Sequence, residues 1–291
     1  MLNIRVAITG SSGFIGSNFI NSANDKFAEF FALKRSELLT FDYSKVDVVV
    51  HFAAIAHTSG VSSDQYFSIN RDLTINIAQR AKKSGVKHFI FLSSVKVYGN
   101  EKGCFKPISL NTKPNPADDY GKSKLEAEEG LKRVEDENFC VSIIRTPLVY
   151  GPGVKANMLG MMKMVKKCPF LPFKDVNNKR SFIYVGNLVS FINKIIEKRL
   201  GGIFLVSDGN PMSTEEMINL ISKKMDRKIF LFKLPSVIKR LMKMVLPSTY
   251  QKLFCDFVAD QKDSFEKVDF MPQFSVDEGI GDMVNWYFGT K

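Results

Sequence analysis

The chain has 291 residues, 45% hydrophobic and 24% charged, the balance of a globular protein with a full core rather than of a disordered or fibrous one. No apolar run reaches the roughly 18 residues of a membrane-spanning helix. The opening Met1-Leu2-Asn3-Ile4-Arg5-Val6 enters strand-like sequence without the pattern of a secretory leader, so a cytoplasmic enzyme is expected. The net charge of +11 comes from scattered lysines and no nucleic-acid-binding motif accompanies it, which points to small phosphate-bearing ligands.

In chain order, the first half alternates short apolar strands with helical patterns. Ile4 to Thr9 reads as a strand, Gly13 to Ala23 as a helix, and Phe27 to Leu33 as a second strand. Val46 to His51 is nearly all apolar, as suits a strand buried on both faces. Gln65 to Lys83 is helical, with Ile69, Leu73, Ile77 and Ala81 four apart on one stripe. Lys87 to Leu92 is a strand, Ala117 to Val134 a helix and Cys140 to Ile144 a fifth strand. Beyond Gly151, Phe182 to Val185, a helix over Leu188 to Lys198 and the strand Ile203 to Val206 read as a late return to the sheet. The expected fold class is α/β: a doubly wound parallel sheet with a smaller C-terminal substrate lobe. Residues 1–150 would form the dinucleotide-binding domain with 181–206 returning to it, and 151–180 and 207–291 the lobe. Cys104, Cys140, Cys168 and Cys255 lie far apart without a CxxC pair, so neither a disulfide framework nor a metal site is expected.

Gly10-Ser11-Ser12-Gly13-Phe14-Ile15-Gly16 joins the first strand to the first helix. Glycines permit a tight turn and close approach, and the helix start then aims free N–H groups at a phosphate. Gly10, Ser12, Gly13, Phe14, Ile15 and Gly16 are therefore the candidate dinucleotide cradle. The second strand ends in Lys34-Arg35-Ser36 with no acid directly after it, which favours NADP(H) through a 2′-phosphate held by Lys34 and Arg35, with NAD the alternative. Asp42 is a weaker candidate for an adenine contact.

Tyr120-Gly121-Lys122-Ser123-Lys124 opens a helix, and i,i+4 spacing puts Tyr120 and Lys124 on one face. An adjacent ammonium would bring a tyrosine, ordinarily near pKa ~10, into acid–base range. Ser94 ends the fourth strand, where parallel sheets bind ligands, and can hydrogen-bond the oxygen that Tyr120 protonates.

With "VDVVVHFAA", "FLSSVKVYG", "YGKSK", "RTPLVYGPG" and "RSFIYVGNLV" in this order, the chain resembles the extended short-chain dehydrogenase/reductases, from about Ile4 to Tyr287. That group contains the nucleotide-sugar epimerases, dehydratases and reductases. The resemblance implies a Rossmann-like fold, a nucleotide-sugar substrate, Ser94 and Tyr120 as the catalytic pair, and Lys124 as the residue that binds nicotinamide ribose and tunes the tyrosine. It also implies that Ala53, Ala54, Pro147 and Val149 line the cofactor, and that Asn157 and Arg180 reach the nucleotide diphosphate. Phe173 would stack on the nucleotide base or pack in the lobe core, Asn70 would brace the site from behind, and His57 would lie near the sugar or in a plain loop. Relatives often pair through a four-helix contact, so a homodimer is open.

Val95-Lys96 after Ser94 replaces the acidic pair of the dehydratases, and Lys96 stands where C3,C5-epimerising relatives carry a cysteine. Within the resemblance this leaves a 4-ketoreductase or a 4-epimerase; the basic Lys34-Arg35 end, and the likeness of "SSVKVYG" and "LVSDGNPMSTEEM" to bacterial surface-polysaccharide enzymes, favour NADPH-dependent reduction of a C4 keto group on a UDP- or dTDP-linked 4-keto-6-deoxy sugar, for O-antigen or capsule precursors. The alternative is a UDP-glucose or UDP-N-acetylglucosamine 4-epimerase with retained NAD. A non-catalytic nucleotide-binding protein is a remote alternative, since Tyr120 and Lys124 are both kept. The basic, apolar stretch Ile229 to Val245 suggests either membrane association or burial in the lobe.

Overall fold

The computed structural model describes residues 2–23, 26–56, 60–99 and 107–289. His57 and Cys104 lie outside them. The first half runs β1 (Leu2–Thr9), α1 (Phe14–Ala23), β2 (Phe27–Leu33), β3 (Val48–His51), α2 (Ser63–Tyr66), α3 (Thr74–Lys83), β4 (His88–Ser94), α4 (Asp119–Val134) and β5 (Cys140–Thr146). The remainder is β6 (Leu148–Tyr150), α5 (Ala156–Lys167), β7 (Phe170–Leu171), β8 (Phe182–Tyr184), α6 (Val185–Lys198), β9 (Gly202–Leu205), α7 (Thr214–Lys224), β10 (Phe230–Leu231), α8 (Ser236–Val245), α9 (Pro247–Phe254), α10 (Lys262–Val268) and α11 (Val276–Gly289).

Six strands form one sheet in the order β2-β1-β3-β4-β5-β9, every pairing parallel. The fold is the expected doubly wound α/β class. Alternate strand residues serve opposite faces: Val6, Ile8, Val48, Val50 and Ile90 enter one core, and Ala7, Val49, Phe89 and Phe91 the other. That double burial explains the nearly continuous apolar runs in the sequence. The chain lays β2 outside β1 and then returns to place β3 on the other side, so the sheet order reverses between β1 and β3. Such a switch opens a crevice at the carboxyl ends of the strands.

Three features depart from the sequence expectation. Phe182–Tyr184 does not join the main sheet; it pairs with Leu148–Tyr150 in a separate two-stranded sheet, and only β9 returns beside β5. The buried carboxylate of Asp208 holds this side sheet, accepting from Tyr150 Oη at 2.8 Å, the Tyr184 N–H at 2.9 Å and Asn187 Nδ2 at 2.9 Å. The second is a π-helical stretch, Phe67–Leu73, between α2 and α3. It rotates the inward face, so Asn70 and Thr74 are buried ahead of Ile77 and Ala81, while Ile69 and Leu73 are only partly covered. A third difference concerns Ile229 to Val245: no residue of α8 is buried.

Candidate active site

The carboxyl ends of β1, β3, β4 and β5 open onto one cleft of about 960 Å³, large enough for a dinucleotide and a small substrate together. Gly10, Gly13, Phe14, Ile15, Gly16, Ala54, Ser94, Tyr120, Lys124, Pro147, Val149, Asn157, Phe173 and Arg180 all line it. These sequence-selected residues, far apart along the chain, converge because the sheet brings the strand ends together.

 Along the chain they run from Gly10 to Arg180. Ser12, Ala53, Lys34, Arg35 and Asp42 are not among the lining residues. Asp42 is exposed and uses its carboxylate to cap the turn Tyr43–Lys45, accepting from the Ser44 N–H and hydroxyl. Ala53 backs the loop instead: its N–H donates to Thr9 Oγ1 at 3.2 Å.

The glycine loop fits a dinucleotide diphosphate. Gly10 has φ +68°, and a Cβ there would stand 2.7 Å from the Ala53 nitrogen; one on Gly16 would stand 2.3 Å from the Gly10 carbonyl oxygen. Only glycine lets the start of α1 come this close to β1 and β3, and its first-turn N–H groups have no acceptor within the helix. At the end of β2, Glu37 Oε2 accepts the Lys34 N–H at 2.7 Å. A carboxylate therefore does stand at that strand end. It comes from three residues further along, where a reading of the residues next to the strand does not find it.

α4 carries Tyr120 and Lys124, the expected acid–base pair. Asp118 caps it, accepting from the Gly121 N–H at 2.8 Å and pairing with Lys96 Nζ at 2.8 Å. Ser94 hydrogen-bonds the Tyr120 hydroxyl and draws its pKa down, but burial outweighs this and pushes the phenol up to about 12. Lys124 is buried; its Nζ donates to the Leu92 carbonyl at 2.9 Å and lies 4.4 Å from the Phe91 ring centroid. Burial pulls its pKa down to about 7, partly opposed by Glu128. Desolvation dominates both groups, so the tyrosine lies above its ordinary value rather than below it, where a neighbouring ammonium alone would place it.

Behind the pair lies a directed hydrogen-bond chain. Asn70 Oδ1 accepts the Ile55 N–H at 2.8 Å, and its Nδ2 reaches Ile55 O at 3.0 Å and Ser123 Oγ at 3.1 Å. Thr74 Oγ1 donates to the Asn70 carbonyl and so accepts from His51 Nε2 at 2.9 Å, leaving His51 Nδ1 to accept from Thr9 Oγ1 at 2.9 Å. Burial holds His51 neutral, with its pKa lowered to about 3. The chain ties the loop after β3 to the helix that carries Tyr120.

The far wall is cationic. Arg180 donates to the carbonyls of Gln251 at 3.1 Å and Cys255 at 2.9 Å, and burial holds its pKa below the usual range. Lys96, Lys155 and Lys252 line the same cleft. Lys252 is lowered first by burial and then by Lys96. Lys155 and Lys252 escape a sequence reading because each sits in a generally basic stretch, and only the fold brings them to the cleft. Phe173 is buried and stacked on Phe254 with ring centroids 6.2 Å apart, while still lining the cleft.

The comparisons agree with this architecture. A UDP-glucose 4-epimerase of Vibrio cholerae is 36% identical over 259 residues, covering 79% of this chain and 78% of that one. An N-acetyl-alpha-D-glucosaminyl-diphospho-ditrans,octacis-undecaprenol 4-epimerase of Escherichia coli O157:H7 is 27% identical, covering 80% of this chain and 76% of that one. The structure of a UDP-N-acetylglucosamine 4-epimerase from Methanobrevibacter ruminantium M1 superposes over 100% of both chains with a TM-score of 0.82 at 20% identity, a likeness of fold. The model of the NAD dependent epimerase/dehydratase family matches residues 6–206. The chain belongs to that family.

Proposed function

We propose that the protein is a 4-epimerase of a UDP-linked hexose, working with a retained nicotinamide dinucleotide. The supporting observation is the single cleft that sets Ser94, Tyr120 and Lys124 between a glycine loop and a cationic wall, together with the 36% identity to the Vibrio cholerae epimerase. This reading takes the place of the 4-ketoreductase expected from the basic end of β2. When bound, the dinucleotide supplies reversible two-electron redox chemistry at the sugar carbon. Glu37 at the end of β2 favours NAD, since an acid there suits ribose hydroxyls and repels a 2′-phosphate.

In this reading Gly10, Gly13 and Gly16 with the α1 N-terminus hold the dinucleotide diphosphate. Residues 151–180 and 207–289 act as the substrate lobe, with Lys96, Lys155, Arg180 and Lys252 attracting the nucleotide diphosphate. Tyr120, as its phenolate, takes the proton from the C4 hydroxyl as C4 becomes a ketone, and returns it to the oxygen once the ring has presented its other face. Ser94 holds the same oxygen. Lys124, poised near neutrality, lends positive charge as the phenol ionises. Lipid-diphosphate-linked hexose, named for the Escherichia coli relative, is a second substrate reading, favoured by the exposed apolar face of α8 beside the α9 wall of the cleft.

Proton NMR of the purified protein with UDP-glucose or UDP-N-acetylglucosamine, without added cofactor, tests the reading. The C4 epimer should accumulate to equilibrium, and Tyr120→Phe should lower kcat by about 10²–10⁴-fold with KM little changed. Oxidation of NADPH by a 4-keto sugar, with no epimer formed, would give the reaction to the reductase instead.

A further inference from the structure

Surface helices ordinarily turn an apolar stripe to the core and charge to the solvent. α8 is mounted the other way. Val237, Ile238, Leu241, Met244 and Val245 share one side of the helix, and all are exposed, Val237 to 77% and Met244 to 75%. Lys239, Arg240 and Lys243 share the opposite side. Lys239 Nζ lies 5.3 Å from the Phe254 ring centroid and Lys243 Nζ 6.0 Å from that of Tyr250, so the basic side is the one set against α9. The chain leading into α8 adds Phe230 and Phe232, both exposed, with Phe230 stacked on exposed Phe170 at 5.6 Å.

The charge of this segment is one-sided. From Arg227 to Cys255 the sequence has seven basic residues and no acidic one. Among the described residues no helix is long and apolar enough to cross a membrane. An apolar arc on a basic segment lacking any acid is what an anionic lipid surface accepts: apolar side chains enter the acyl boundary while the segment's positive charge draws it to the anionic headgroups. We propose that α8, with Phe230 and Phe232 before it, is a peripheral docking face for an anionic phospholipid bilayer. The proposal stands apart from the reaction assigned above, and its test reads no activity.

The full-length protein is sedimented with phosphatidylglycerol-containing vesicles and, in parallel, with pure phosphatidylcholine vesicles. Binding should require the anionic lipid and weaken as salt is raised. The double substitution Leu241→Glu and Met244→Glu should reduce the bound fraction about tenfold. Because no α8 residue is buried, its thermal midpoint should match the parent's. A second variant, Val237→Trp, should shift its fluorescence to the blue on addition of anionic vesicles. Absence of binding to anionic vesicles, equal binding by the double variant, or a lipid-free dimer that the double variant dissolves would each overturn the proposal, the last in favour of a second copy of the chain.

Discussion

At the scale of single residues, the cleft is governed by desolvation. Tyr120 is raised to about 12 and Lys124 lowered to about 7. The sign for Lys124 follows from linkage. Its folded pKa lies below the ordinary value of 10.5, so between these values the unfolded chain carries a proton that the folded chain has released. Stability contributed by this group therefore rises with pH from about 7 towards 10.5, and the full cost is present below about 7. Lys124→Met removes the cost. Its thermal midpoint relative to the parent should be highest near about pH 6 and decline as the pH is raised, a trend that scanning calorimetry across pH can check. A difference that does not vary with pH would contradict it. Tyr120, Lys124 and Ser94 were legible in the sequence because i,i+4 spacing and a strand end are local patterns. Glu37, Lys155 and Lys252 were not, since a turn or the tertiary fold brings them to their places.

At the scale of elements, α4 must sit at a fixed height on the sheet for Tyr120 to meet Ser94. A buried network does much of this. Glu128 on α4 accepts from Ser93 Oγ on β4 and from Arg145 on β5, and Arg145 donates to Tyr98 Oη at 2.7 Å. The Arg145–Glu128 pair is 4% and 1% exposed, so removal of one partner leaves a charge buried without compensation. Glu128→Ala should destabilise the protein by about 3–5 kcal/mol, measured by urea unfolding. A loss within the error of that measurement would show that α4 is held by its apolar contacts alone. The main strands and helices were readable because each has its own periodicity. The π-helical stretch was not: buried Asn70, bonded to the loop after β3 and to Ser123, overrides the four-residue repeat of Ile69, Leu73, Ile77 and Ala81. The pairing of β6 with β8 was equally hidden, because short apolar runs carry no record of which sheet they enter.

At the scale of the molecule, the switch between β1 and β3 makes a crevice, the glycine loop and the α1 N-terminus line one side, and a cationic wall from the second half of the chain lines the other. The net charge of +11 has two local expressions, the cleft lysines and the acid-free segment around α8. The doubly wound parallel class followed from the alternation of elements in the sequence, whereas the outward apolar face of α8 did not, since periodicity shows that a stripe exists and not which way it points. In the proposed reaction, oxidation and reduction at C4 occur within one occupancy of this cleft. The most direct test is a UDP-hexose carrying deuterium at C4, incubated with the protein without added cofactor and followed by mass spectrometry and NMR. The C4 epimers should interconvert with deuterium retained at C4. Loss of the label to solvent or to an external nicotinamide pool, or turnover only when NADPH is supplied, would contradict it.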